Sequence, residues 1–68
     1  MFAPKIIEIL KVFRNGEEGY YGTMSSMLEL WNAGLMSIAD LDEALLQLRD
    51  DYAMAKQFGW NNVAWVAL

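Results

Sequence analysis

The side chains that could do chemistry in this chain are three serines and nine acidic residues, because it contains no His and no Cys. A Ser-His or Cys-His nucleophile therefore cannot be assembled, and the usual zinc ligand sets are absent. Ser25, Ser26 and Ser37 have only carboxylates or lysines as candidate bases. Gly16, Gly19 and Gly22 are evenly spaced but lack the Lys and Ser/Thr of a phosphate-binding loop. The acids cluster twice, at Asp40, Asp42 and Glu43 and at Asp50-Asp51. A divalent cation needs several oxygens converging on one point. Neighbouring helical residues point in different directions, so neither cluster converges by itself. The first is expected to offset a helix dipole and the second to form a solvated face. No catalytic residue, no cofactor site and no metal site is expected.

Apolar and aromatic side chains dominate instead. Of the 68 residues, 56% are hydrophobic, with five Met, three Trp, three Tyr and three Phe. A domain this small buries only roughly 60% of its unfolded surface. It usually needs a staple or a partner, and with no Cys a partner is the expectation. The candidate interface residues are Tyr20, Tyr21, Trp31, Leu46, Trp60 and Trp65, since Trp and Tyr are enriched at interface hot spots.

The elements that must position them are organised by the stretch Leu28–Leu48, LELWNAGLMSIADLDEALLQL. Gly34 stands where a helix stop takes a left-handed backbone, with Leu30 and Leu35 as the apolar pair of a Schellman motif. Ser37 then serves as N-cap of the next helix, with Asp40 at the position that can reach back to it. Met36 and Leu41 occupy the two positions of a hydrophobic staple. Stop, short turn and restart predict two antiparallel helices. Beyond Ser37, Ile38, Leu41, Leu45, Leu48, Tyr52 and Ala55 repeat at spacings of 3 and 4, and Gly59 ends the run. The predicted helix spans residues 38–58. Ala44, Leu46 and Met54 fall off that seam, which predicts a second apolar face.

Ahead of the hairpin, Pro4 suits a first helical turn, and Ile6, Ile7, Ile9, Leu10 and Phe13 make a wide apolar face. Asn15-Gly16 is also a strong two-residue hairpin signal, so a strand reading of residues 6–13 stands beside the helical one. The adjacent pairs Ile6-Ile7 and Ile9-Leu10 fit a helix better than an alternating strand. Residues 15–22 read as a loop, with Thr23 as N-cap of the second helix. The tail, residues 60–68, reads equally as a last helical turn or as an extended segment, and its Trp60 and Trp65 require it to pack. The fold class expected is one all-α domain spanning residues 1–68: a small bundle of three main helices built on an antiparallel hairpin, with a packed C-terminal tail.

The stretch ELWNAGLMSIADLDEALLQL resembles the short helical hairpin (SHOCT-like) found at the ends of many bacterial proteins. The shared pattern is a Leu-rich helix, then Gly-Leu-Met-Ser in place of Gly-Ile-Ile-Thr, then an acid at Asp40 and an apolar residue at Leu41. It covers about residues 28–48. The resemblance implies an oligomerisation or docking role. Here the second helix continues well past the hairpin, and a further helix precedes it.

The net charge is −4 and unevenly spread. Residues 1–16 hold Lys5, Lys11 and Arg14 against Glu8, and residues 17–68 hold eight acids against Arg49 and Lys56. The two parts should attract, within one chain or between chains. The helix opening at Ser37 carries acids where a DNA-reading helix carries Lys and Arg, so direct nucleic-acid binding is not expected. No stretch reaches the ~18 apolar residues of a membrane span, and the start of the chain lacks a signal-peptide pattern, so a cytoplasmic location is expected. These features point to a small non-enzymatic adaptor or inhibitor that docks on a larger protein, with self-association as a homodimer. Small chains of this composition are common among phage and mobile-element proteins that modulate a host enzyme or regulator. Two other readings follow from the same residues: a membrane-surface protein using Phe2–Arg14 as an amphipathic segment, and an acidic nucleic-acid mimic in a basic groove.

Overall fold

The computed structural model describes residues 2–68 as three helices, α1 (Pro4–Arg14), α2 (Tyr20–Asn32) and α3 (Ile38–Phe58), followed by a 3-10 turn at Trp60–Asn62 and an extended tail. No strand occurs among the described residues, so Asn15-Gly16 closes a helix rather than a hairpin. At 1.5 Å per residue α3 is about 31 Å long. The molecule measures 35 Å along its longest axis, so α3 is its spine.

Each helix end is written in local chemistry. Gly34 has φ +73°, the Leu35 amide donates to the Leu30 carbonyl at 2.9 Å and the Gly34 amide to the Trp31 carbonyl at 3.0 Å. Those two bonds are the Schellman pair expected at this stop. The Ser37 hydroxyl accepts from the Asp40 amide at 3.1 Å and caps α3. The return bond from the Ser37 amide to the Asp40 carboxylate does not form, because Asp is one methylene shorter than the Glu or Gln that usually makes it. Helix α1 ends by the same device: the Glu17 amide donates to the Val12 carbonyl at 3.1 Å and the Gly16 amide to the Phe13 carbonyl at 2.9 Å. At the end of α3, Gly59 takes φ 86° and ψ 142°, a region open essentially to Gly alone.

One boundary differs from expectation. Gly19, not Thr23, is the N-cap of α2, and the helix includes both tyrosines and Gly22. Thr23 is buried, and its hydroxyl donates to the Gly19 carbonyl at 2.8 Å. The Glu18 side chain turns back to accept from the Gly19 amide at 2.9 Å, and its carboxylate occupies the space a Cβ at position 22 would need.

The core is Ile6, Leu10 and Phe13 from α1, Met27 from α2, and Leu41, Ala44 and Leu48 from α3. Arg14 of α1 meets Asp51 of α3, while the first turn of α1 shares a groove with Asp40 and Glu43. Helices α1 and α3 therefore run parallel, and α2 runs antiparallel between their ends. The buried face of α3 is rotated from the seam expected. Leu41, Leu48 and Ala55 are buried as the seam requires, but Ala44 and Asp51 join them, while Ile38 is exposed and Leu45 and Tyr52 are half-buried. The small Ala44 lets the helices approach, and Asp51 is drawn inward by its partner on α1.

Gly34→Val should destabilise the fold by about 1–2 kcal/mol, because a β-branched residue is forced into the left-handed region. Ser37→Ala should cost about 1 kcal/mol through the lost cap. Urea denaturation followed by circular dichroism reads both; unchanged midpoints would show that the turn is not held by these residues.

Candidate docking surface

The groups with chemical potential are used inside the fold. The Arg14 guanidinium donates from Nε to Asp51 Oδ2 at 2.7 Å and from Nη2 to Asp51 Oδ1 at 3.1 Å. Its third nitrogen, Nη1, donates to the Val66 carbonyl at 2.6 Å. Gln47 Nε2 donates to the second Asp51 oxygen at 2.8 Å. Both ionised side chains are more than nine-tenths buried. Asp51 is therefore not part of a solvated face; only Asp50 is, beside Arg49 at 3.8 Å. A buried charge without a partner is strongly destabilising, so this fork-to-fork geometry is required. No buried side-chain nitrogen or oxygen among the described residues lacks a hydrogen-bond partner.

The tail closes over this pair. Trp60 stacks edge-on to Phe13 with ring centres 5.8 Å apart, and its indole N–H donates to the Phe13 carbonyl at 3.0 Å. The Trp65 ring lies 4.9 Å from the Arg14 guanidinium carbon, a cation–π cover for the charge. Leu68 packs on the core. The extended reading of residues 63–68 is the observed one, and Trp60–Asn62 is the last turn.

Of the six residues singled out from the sequence, Trp60 and Trp65 are thus held in contacts within the chain. Tyr20 is half-buried and stacked on Tyr52 at 4.6 Å. Tyr21 is exposed, with its ring against the edge of Tyr20. Trp31 and Leu46 are 41% and 50% exposed. Around them the structure gathers residues the sequence reading left in the core or in the turn. Leu28, Leu35 and Ile38 are exposed, the last two at 65% and 61%. Leu28 and Trp31 are three residues apart on α2, and Leu35 lies in the turn between Gly34 and the start of α3. On α3, Leu46 and Met54 remain outside, as the second apolar face required, while Ala44 belongs to the core.

Shallow grooves lie apart from these residues, between helices and at the first loop. The one between α1 and α2, about 210 Å³, is lined by Glu8, Ile9, Val12, Glu18, Thr23 and Ser26. Its two hydroxyls already donate to backbone carbonyls, Thr23 to Gly19 and Ser26 to Gly22. No three carboxylates gather at one point among the described residues. The chemistry this surface offers is apolar contact edged by carboxylates.

Compared with known proteins, the chain matches no family model, no curated protein and no solved structure.

The sequence signal for the buried pair lay in the spacing. Arg14 follows Ile6 and Leu10 at four-residue steps, and Asp51 stands three residues after Leu48 and four before Ala55. Both ions occupy apolar-face positions. Asp51→Leu or Arg14→Met should each cost about 3–5 kcal/mol, by leaving one buried charge alone, whereas the double variant should recover much of that loss. Circular dichroism with and without urea measures this. Single variants that behave like surface substitutions would remove the pair from its role.

Proposed function

We propose that this protein is a non-enzymatic docking module, an adaptor or inhibitor that binds a larger protein through the outer face of its α2–α3 hairpin. The observation carrying the reading is the exposure of Leu28, Trp31, Leu35, Ile38 and Leu46 together on one short hairpin. Single exposed apolar residues are ordinary on a monomer, whereas five large ones on one short hairpin, a Trp among them, suit an interaction site. The resemblance to short helical hairpins with docking or oligomerisation roles agrees with this use of the element. A host enzyme or regulator is the kind of target such a chain would serve.

The membrane-surface reading loses its supporting feature. Ile6, Leu10 and Phe13, the apolar stripe it would use, form the core. No helix among the described residues is long and apolar enough to cross a membrane. The nucleic-acid mimic reading gains no feature either, since the exposed acids are distributed over all three helices and the first loop.

The reading is tested by a photo-crosslinking amino acid placed at position 31, at position 46 or, as a control on the far side, at Lys11. In the native host, positions 31 and 46 should give an adduct of the same defined mass that position 11 does not. Adducts without positional preference, or none at all, would remove the reading.

A further inference from the structure

Along α3 one row of side chains at four-residue spacing stays in solvent from end to end: Ile38, Asp42, Leu46, Asp50, Met54 and Phe58. Rows at this spacing are the ridges by which helices pack into one another's grooves. Four members are large and apolar, and each carboxylate stands between two of them. Asp42 and Asp50 are eight residues apart, or about 12 Å along the helix. Neither is consumed inside the fold; Asp50 has only a long surface contact with Arg49.

We propose that this ridge docks an amphipathic helix of a partner protein whose apolar residues alternate with Lys or Arg. The inference rests on the docking reading above and specifies the partner's chemistry. Charge complementarity selects the occupant. Closing the ridge removes water from both carboxylates, which is favourable only where a cation meets each one. On the same helix Asp40 and Glu43 are also exposed, so the exposed groups of α3 count four acids against Arg49 and Lys56. A second copy is a poor fit. Antiparallel pairing about the middle of the ridge sets Leu46 against Asp50 and Asp42 against Met54, which buries four carboxylates without cations. An anionic lipid surface is repelled by the same two residues.

The test titrates the full-length chain with two amphipathic probe helices of about 14 residues, one carrying leucine and lysine at helical spacing along one face and the other leucine and glutamate at the same positions, and follows backbone amide shifts by NMR. The leucine–lysine helix should move amides along the exposed side of α3, and the leucine–glutamate helix should not. Asp42→Lys with Asp50→Lys should weaken the first by at least about tenfold. Glu8→Lys with Glu17→Lys, an equal change in net charge on other surfaces, should alter it less than about twofold. The Trp60 indole resonance, set by its bond to the Phe13 carbonyl, reports that each variant is folded. Equal binding of both probes, equal losses in both double variants, or shifts confined to α1 would overturn the proposal. So would tighter binding to anionic vesicles than to the leucine–lysine helix, or a dimer in sedimentation equilibrium that Leu46→Asp dissociates. A partner crosslinked from position 46 through a segment without Lys or Arg would sink this inference while leaving the docking reading intact. Failure to crosslink at all sinks the docking reading itself.

Discussion

The buried ion pair between Arg14 and Asp51 is the constraint to which the rest of the molecule conforms. Two charges removed from water are tolerable only when every lone pair and N–H is met. Asp51 alone cannot satisfy Arg14, so the guanidinium takes a third acceptor from the backbone at Val66. That bond fixes the tail. The Trp65 ring then covers the charge, and Trp60 anchors the turn before it on the last residues of α1. Removing either ion would therefore disturb the α1–α3 contact and the strap across it together. The pair also sets the rotation of α3, since Asp51 can face α1 only if Ala44 and Ala55 turn inward with it.

Segmentation of the chain is separate from this packing and is mostly local. The stops after α1 and α2 share one hydrogen-bond pattern, in which a glycine with positive φ lets two amides close back on the last carbonyls. Such ends keep α1 and α2 short beside the longer α3. They also keep the α2–α3 connection short, which places the apolar residues of its two flanks side by side. The same turn that makes the hairpin thus creates the exposed surface proposed for docking.

That surface differs from the core in composition. Inside, apolar side chains surround one neutralised ion pair. Outside, apolar residues alternate with carboxylates that have no comparable partner. In a ridge of this kind the charges hold water beside the apolar residues, whose area stays exposed. The two arrangements use the same residue types and differ in whether a cation of this chain is buried against the carboxylate.

Residue order by itself determined the helical hairpin and most of the helix ends, the start of α2 excepted. The capping signals at Gly34, Ser37 and Gly59 depend on a few adjacent residues, and they act wherever the chain goes. The all-α class, the hairpin and the 38–58 helix were legible for that reason. Position in the bundle was not. Thr23 looks like a cap in sequence and is a core residue, because α1 covers it. Asp50 and Asp51 are adjacent and of one type, yet one is solvated and the other is buried against a guanidinium 37 residues away. Burial is a property of what packs on a residue, and the partner of Asp51 is chosen by the path of the whole chain. Only the tertiary structure could therefore separate the apolar residues that build the core from those, Trp31 and Leu46 among them, that remain at the surface.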